Sequence, residues 1–397
     1  MASSSSEDQN PHHIPIEIIS DDEMALIEAA FAFASTRSCS AIRSSSSSSS
    51  FSSSSSPLHN NALSITIASK RRLSSGSDIE DLPTRKKKHP LPDSFLHRFR
   101  NKRGLSVTDL TSTEWCQKQM EFSLLLGGRK VNQAMRAGIA RHAKLEQEVL
   151  KRVEVKVKYK EDLWALKFLN FINGVTQLLF EGLTRELPLI GFVEGTWMVG
   201  VIDEIRMPLE ENDHNPILID TKTRARDTLP SEPQRRNGRL QLMCYKYLWD
   251  YLVADNFPSN SFFTYFGLNP QHNLCEDLKV LSADSGFSAS TLDDVVRYYT
   301  NTCRMLAPAH DQLLLRYEYQ KDHSLLGEDK FTYDHDWLKD QIRSCLDFWL
   351  GEQEGTYPPE EERWKCRYCQ FAAICPAYND GKETMAPKSN DLNIKEG

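Results

Sequence analysis

The sequence has no apolar run of about 18 residues, the length that a membrane-spanning helix requires, so we expect no membrane span. It also has no apolar segment behind a basic N-terminal start, and we therefore expect no secretory signal peptide. Because disulfide frameworks belong mainly to secreted proteins, the nine cysteines are expected to serve another purpose. The chain length of 397 residues suits one large domain or two ordinary ones.

An excess of positive charge is also missing, since the formal net charge is −7. This does not exclude a nucleic-acid-binding protein, because phosphate contacts need a local basic stripe rather than a basic chain. Residues 97–103 and 235–239 are two such basic stretches. Each is a candidate for DNA contact, and a solvated surface is the alternative for both.

Residues 1–90 have too little apolar surface to offset the entropy cost of ordering them, and positions 44–56 are serine apart from Phe51. We expect this region to be disordered, and we expect a flexible tail at 381–397. Within the first region, the β-branched and then acidic stretch from Ile16 to Glu23 resembles a SUMO-interacting motif, which binds SUMO or sumoylated proteins as an added strand. A chance apolar stretch is the alternative.

Two basic clusters in the same region, residues 70–72 and 85–88, have the spacing of a bipartite nuclear localisation signal. They favour a nuclear protein. The alternative is a chloroplast or mitochondrial transit peptide, because residues 35–76 are rich in serine and arginine and contain no acids. Acidic residues near the start of the chain speak against that alternative.

The globular part of the sequence begins near residue 91. Apolar periodicity predicts helices at 130–154, 160–182, 232–254, 291–319 and 334–352, and strands at 192–207, 217–219, 261–267 and 278–281. Helices therefore precede and follow a small group of strands. This order predicts an α/β fold with a small central mixed sheet flanked by helices.

An acid occurs on the apolar face of one predicted strand. Asp203 lies in register with Val199 and Val201, where a carboxylate is costly unless it is paired, protonated or bound to a cation. On the next strand Asp220 and Lys222 are two residues apart, so their side chains project to the same side. Two converging carboxylates can hold Mg²⁺, with Mn²⁺ as an alternative, and the lysine can orient an attacking water.

The order of these residues, followed by Gln241 and Tyr245 four apart on a predicted helix, resembles the PD-(D/E)XK nuclease superfamily and its RecB-like branch. The resemblance implies that Asp203 and Asp220 bind metal, that Lys222 assists catalysis, and that Gln241 and Tyr245 shape the site. It also implies an upstream histidine ligand.

His142 is the best match to that ligand. A surface or core histidine is the alternative, in which case Glu146 or Glu148 can take its place. Glu186 is a further, weaker candidate for lining the site.

Three further cysteines are clustered as C-x2-C-x5-C at Cys366, Cys369 and Cys375, which suits a soft metal centre. An iron–sulfur cluster accepts three local ligands and one remote cysteine, whereas structural zinc sites more often use two paired knuckles. Three free thiols are the remaining alternative. RecB-like nucleases that carry a cluster place one cysteine before the core, and this layout implies Cys116 as the fourth ligand.

The combined pattern resembles the exonuclease V family from about residue 91 to 380. The resemblance implies an exonuclease that degrades single-stranded DNA from its ends with Mg²⁺, that carries a 4Fe-4S cluster and that serves DNA repair. Asp220 departs from family members that have glutamate at that position, and the shorter acid is still expected to bind metal.

The alternatives are an endonuclease or flap nuclease of the same fold, and a catalytically silent DNA-binding adaptor with a redox-sensitive cluster. We expect a monomer that binds single-stranded DNA, with a single-strand-binding protein as a further candidate partner.

Overall fold

The structure is a computed structural model that describes residues 39–43, 94–128, 131–149, 151–155, 157–209 and 213–378. The segment 1–90, apart from the strand Cys39–Arg43, lies outside these residues, as do the motif at 16–23, the two basic clusters and the tail 381–397. Within the described residues, no helix is long and apolar enough to cross a membrane.

The described residues form eight strands, ten α-helices and two 3-10 helices. The strands are β1 (Cys39–Arg43), β2 (Leu105–Ser106), β3 (Lys151–Val155), β4 (Leu183–Val193), β5 (Thr196–Arg206), β6 (Ile217–Arg224), β7 (Gln312–Tyr319) and β8 (Leu325–Thr332). The helices are α1 (Phe95–Arg100), α2 (Val107–Trp115), α3 (Gln117–Leu126), α4 (Gln133–Gln147), α5 (Lys160–Glu181), α6 (Glu232–Val253), α7 (Ser259–Phe266), α8 (Glu276–Asp284), α9 (Leu292–Arg304) and α10 (His335–Leu350). The two 3-10 helices span Glu360–Tyr368 and Ala372–Ile374.

Six of the strands form one mixed sheet. Its main order is β2-β5-β6-β7-β8, and β4 pairs with β5. The β2–β5 and β6–β7 pairs are parallel, whereas β4–β5, β5–β6 and β7–β8 are antiparallel. Helix α5 packs on β4, and α6 crosses β4, β5, β6 and β7. The expected α/β fold with a mixed sheet flanked by helices is confirmed.

Local sequence explains where the helices beside the sheet begin and end. The Asn132 side chain accepts a hydrogen bond of 2.8 Å from the Met135 amide and so caps the start of α4. Helix α5 ends at Gly182, whose φ of 75° is left-handed and favours glycine. Helix α6 begins after Ser231 with Pro233 in its first turn, where a missing N–H costs nothing.

The predicted strands at 261–267 and 278–281 are wrong, because these residues belong to α7 and α8. Short apolar runs do not distinguish a strand from a buried helix. In α7 the buried residues Phe262, Phe263 and Phe266 lie on one helical face. Phe262 and Phe266 pack against the ring of Trp197 on β5, so the run fills the core as a helix.

Three other predicted elements have different bounds. The helix expected over 291–319 ends at Arg304, and β7 follows after Pro308. The helix expected over 130–154 ends at Gln147, before β3. The strand expected over 192–207 is β5 over Thr196–Arg206, and its first two residues end β4, since Glu194 and Gly195 adopt left-handed φ values of 47° and 76° and form a two-residue turn between the strands.

Candidate active site and cysteine centre

The sheet is irregular around Asp203. On one side, the register pairs Arg185 with Glu204 and Leu187 with Ile202, which places Glu186 opposite Asp203. Glu186 has a φ of 51°, a left-handed conformation that is uncommon for glutamate and costs about 1–3 kcal/mol. The backbone of β4 is therefore strained at Glu186, the residue that faces Asp203.

The other side of Asp203 is irregular as well. The ladder between β5 and β6 pairs Glu204 with Ile219 and extends from there to Arg206. One step beyond, the Thr221 amide donates a hydrogen bond of 3.1 Å to Asp203 Oδ2 instead of extending the ladder. The ladder thus stops before Asp203 and Asp220, which leaves a gap in the strand pairing at these two residues.

His142 reaches this gap from α4. Its Nδ1 lies 3.5 Å from Asp203 Oδ2 and 3.6 Å from Glu186 Oε1, and its Nε2 lies 3.0 Å from the Thr221 carbonyl oxygen. Because a carbonyl oxygen only accepts, Nε2 carries a proton, and in the neutral ring Nδ1 has the free lone pair. The backbone of Thr221 therefore orients both His142 and Asp203, as outer partners of metal ligands commonly do.

The pKa of His142 reflects these neighbours. Burial alone lowers the pKa of an imidazole, but the carboxylates of Asp203 and Glu186 outweigh it and raise the pKa of His142 to about 10. In the metal-free protein the ring is therefore protonated near neutral pH and offsets the two acids. A metal ion must displace this proton to bind Nδ1.

The ligand atoms of His142, Glu186 and Asp203 all lie within 4.8 Å of one another, and no other such group of three occurs among the described residues. One imidazole nitrogen and two carboxylates suit a hard divalent cation. Of the acids that the sequence offered as substitutes for His142, neither Glu146 nor Glu148 joins this group.

Asp220 adjoins the group on β6. Its side chain is buried, its Oδ1 has no hydrogen-bond partner, and its Oδ2 lies 3.0 Å from Lys222 Nζ. Burial raises the pKa of Asp220 to about 8; Lys222 lowers it and Asp203 adds to the rise. A buried carboxylate oxygen without a partner beside a second acid fits a cation ligand, because a bound cation would satisfy it.

Lys222 is held from the opposite side by helix α6. Its Nζ donates a hydrogen bond of 2.7 Å to Gln241 Oε1, and Gln241 Nε2 in turn lies 3.5 Å from the Tyr245 hydroxyl. The Tyr245 ring packs against Gly200 so closely that a Cβ there would lie 2.5 Å from its Cε1. The sequence-predicted residues Asp203, Asp220, Lys222, Gln241 and Tyr245 are thus brought together with His142 and Glu186.

The four predicted cysteines form a second centre. Cys116, Cys366, Cys369 and Cys375 line one cavity, and none of them forms a disulfide. Burial raises the pKa of the Cys116 thiol to about 12, and the three other cysteines add to the rise. Mutual repulsion of thiolates is expected where four sulfurs share one cavity, and such thiolates are ligands that soft metal ions prefer.

Short local structures position these sulfurs. Cys116 begins α3, and its Sγ accepts a hydrogen bond of 3.3 Å from the Gln119 amide. Cys366 lies in the 3-10 helix Glu360–Tyr368, Cys369 follows it, and Cys375 follows the second 3-10 helix. The centre therefore joins the residue that precedes α3 to the segment that follows α10.

Arginines in both basic stretches that the sequence offered for DNA contact form ion pairs. In the first, Arg100 pairs with Asp109 at 2.7 Å. In the second, Arg236 pairs with Glu114 and Glu362. These arginines therefore contribute to the fold, whereas most of the residues 97–103 are exposed.

Comparison with known proteins finds several relatives that share one family. A family model described as "Exonuclease V - a 5' deoxyribonuclease" matches residues 94–216, 208–297 and 282–376. The chain is 30% identical over 314 residues to exonuclease V of Danio rerio, and this alignment covers 78% of each protein. It is 29% identical over 142 residues to a protein of Candida albicans named mitochondrial exonuclease V, which is 32% of this chain and 22% of that relative. The chain therefore belongs to the exonuclease V family.

Proposed function

We propose that the chain is a Mg²⁺-dependent exonuclease that hydrolyses single-stranded DNA from its 5′ end, built on a PD-(D/E)XK nuclease core. The convergence of His142, Glu186 and Asp203 beside the Asp220–Lys222 pair carries this proposal. The family description supplies the 5′ deoxyribonuclease activity. The single-strand preference and the use of Mg²⁺, with Mn²⁺ as a substitute, go beyond that description.

Each residue of the site has a proposed task in the hydrolysis. His142 Nδ1, Glu186, Asp203 and Asp220 would hold the metal ion. When bound, the ion supplies an acidified water and stabilises negative charge at phosphorus. Lys222 Nζ orients the attacking water and offsets the charge that develops as the P–O bond breaks. Gln241 keeps the Lys222 ammonium beside Asp220, because its Oε1 accepts a hydrogen bond from Lys222 Nζ.

We further propose that the cysteine centre holds a 4Fe-4S cluster through Cys116, Cys366, Cys369 and Cys375. A tetrahedral zinc site with Zn–S bonds of about 2.3 Å would hold its sulfurs about 3.8 Å apart. Among the described residues, no three cysteine sulfurs lie within 4.8 Å of one another, so the cavity suits a larger group. Four cysteine thiolates are the usual ligands of such a cluster.

A nuclease assay on labelled single strands tests the proposed activity. With Mg²⁺, a strand labelled at its 5′ end should release a short labelled product at once, whereas a strand labelled at its 3′ end should shorten progressively. Efficient cutting of circular single strands would favour the endonuclease alternative. Unchanged degradation by Asp203→Ala and Lys222→Ala would contradict the assigned site and favour the silent adaptor.

Metal analysis of anaerobically purified protein tests the cluster separately. We expect about four irons per chain and visible absorbance from iron–sulfur charge transfer. Colourless protein with one zinc per chain would contradict the cluster. Replacement of Cys275, which lies outside the centre, should leave the iron content unchanged and serves as the control.

The cellular setting remains a proposal. A nuclease that degrades single strands from an end suits DNA repair, with a single-strand-binding protein as a candidate partner. Relatives of the yeasts Candida albicans and Candida dubliniensis carry the name mitochondrial exonuclease V, which favours the organellar alternative over the nuclear one. The predicted SUMO-binding segment and the predicted monomer stay predictions.

A further inference from the structure

Arg236, in the second turn of α6, contacts both ends of the chain that the cysteine centre joins. Its Nε donates a hydrogen bond of 2.8 Å to Glu114 Oε1. Its Nη1 and Nη2 donate bonds of 2.7 and 3.0 Å to the two oxygens of Glu362. Glu114 lies two residues before Cys116, and Glu362 lies four residues before Cys366.

Neighbouring side chains complete this contact. Lys365 Nζ donates a bond of 2.6 Å to Glu362 Oε2 and lies 3.9 Å from the ring centroid of Trp115. Asn237 Nδ2 lies 2.8 Å from Glu114 Oε2. Both acids therefore have partners on α6 or in residues 360–375, which carry three of the four cysteines and are called the cysteine segment below. Two acids thus face two basic groups, and Lys365 is buried. A balanced and largely buried network of this kind has few alternative arrangements.

The same helix carries the residues that hold Lys222. Gln241 follows Arg236 by five residues, which is about 7.5 Å along the helix axis and more than one turn. At 100° per residue the two side chains point in different directions, so Arg236 faces the cysteine segment while Gln241 faces the sheet. Helix α6 therefore connects the two centres directly, through the short helical step from Arg236 to Gln241.

We propose that Arg236 is a positioning residue through which the cysteine centre fixes α6, and with it Gln241 and Lys222, over the carboxylate site. This inference rests on the proposed nuclease function. When the centre is intact, Glu114 and Glu362 are held at a fixed separation, and both accept hydrogen bonds from the Arg236 guanidinium. When these hydrogen bonds are lost, α6 can shift, and Lys222 loses the position from which it assists the attacking water.

Arg239, one turn further along α6, offers a matched control. It also pairs with two acids, at 2.7 Å to Glu232 and 2.8 Å to Asp329. Asp329 belongs to β8, and neither acid adjoins a cysteine. Arg236→Met and Arg239→Met therefore remove the same kind of contact from the same helix, and only the first of them faces the cysteine segment.

The experiment compares the full-length wild type with both variants in three measurements. These are kcat and KM on single-stranded DNA with Mg²⁺, iron per chain, and hydrogen exchange of the peptide that contains residues 234–246. For Arg236→Met we expect kcat to fall about tenfold with KM within about twofold, iron unchanged and faster exchange of the peptide. For Arg239→Met we expect kcat, KM and iron all within about twofold of the wild type.

The proposal is overturned if Arg236→Met keeps the wild-type kcat, if it loses iron in proportion to activity, or if Arg239→Met has the same effect. In the second case Arg236 would only support the centre, and in the third the helix would respond to any lost ion pair. Should Arg236→Met not fold, Arg236→Lys decides, because a lysine cannot bond both acids at once and should give a smaller loss of kcat. Absence of cleavage by the wild type would instead refute the proposed function.

Discussion

The carboxylate site and the cysteine centre are built in opposite ways. The acids and His142 are fixed by strands and by the backbone of Thr221, which bonds both His142 and Asp203. Three of the four cysteines lie in or beside short 3-10 helices, outside any sheet. We infer that the sheet preforms the first site, whereas the second would depend on the proposed cluster to fix the chain. The same kind of substitution should therefore have different consequences at the two places.

The largest effect on activity is expected at the carboxylate site. Asp203→Asn removes one charge from the group that gathers the metal ion, and activity should fall by at least about 10³-fold. The metal-free fold should tolerate the change, because one of two neighbouring buried acids is neutralised and the amide oxygen still accepts from Thr221. Activity and thermal unfolding, each with and without Mg²⁺, measure this, and the exposed Asp340→Asn is the control. If the melting temperature of metal-free Asp203→Asn falls together with its activity, the carboxylate site is not preformed by the sheet, and the contrast with the cysteine centre fails.

The cysteine centre should lose fold and activity together. Cys366→Ser is expected to remove the proposed cluster and with it the link between Cys116 and Cys366, which lie 250 positions apart in the sequence (366 − 116). If the loop-entropy relation for disulfides applies, this costs about 5 kcal/mol of unfolding free energy. Activity should fall by about 10²-fold, although no cysteine lies in the carboxylate group. Iron content, denaturant unfolding and nuclease rate are the measurements, with Cys275→Ser as the control. Normal stability without iron would contradict a structural role.

Protons should compete with metal at the carboxylate site. The pKa of Asp220 is raised to about 8 by burial and by Asp203, so this acid is protonated below that pH and must release its proton when metal binds. Affinity for Mg²⁺ should therefore rise with pH, by at most about tenfold per unit for each proton, and the Asp220 contribution should level off above pH 8. His142, whose pKa is raised to about 10, adds a second displaced proton. Titration calorimetry in buffers of different ionisation enthalpy counts these protons; binding independent of pH would contradict the assignment.

The sequence was sufficient to predict the α/β fold and the grouping of Asp203, Asp220, Lys222, Gln241 and Tyr245. The strand period places Asp203, Asp220 and Lys222 together, whereas Gln241 and Tyr245 join them through the resemblance to RecB-like nucleases. The predicted strand at 261–267 failed because its aromatic residues suit a buried helix equally well. Tertiary packing against Trp197 decides that case, and no local pattern reports it.

Other parts of the site could be predicted only weakly from the sequence, or not at all. Glu186 was a weaker candidate, because it joins the ligand group through a left-handed backbone that a glutamate seldom adopts. The role of Thr221 lies in its amide and carbonyl, so its side chain gives no signal. Arg236 appeared in the sequence only as part of a basic stretch, because its partners Glu114 and Glu362 are more than a hundred residues away.

The smallest effect is expected at Tyr245, and it separates two ways in which α6 can hold the site. The Gln241–Tyr245 contact of 3.5 Å is long for a hydrogen bond, whereas the ring fills the space over Gly200. Tyr245→Phe keeps the ring and should lower kcat only about two- to fivefold. Tyr247→Phe, on the same helix with its hydroxyl bonded to Glu194, is the control. A loss above about thirtyfold for Tyr245→Phe would mean that the hydroxyl, rather than ring packing, orients Gln241. The carboxylate site would then depend on a hydrogen-bond chain from α6 as much as on the sheet.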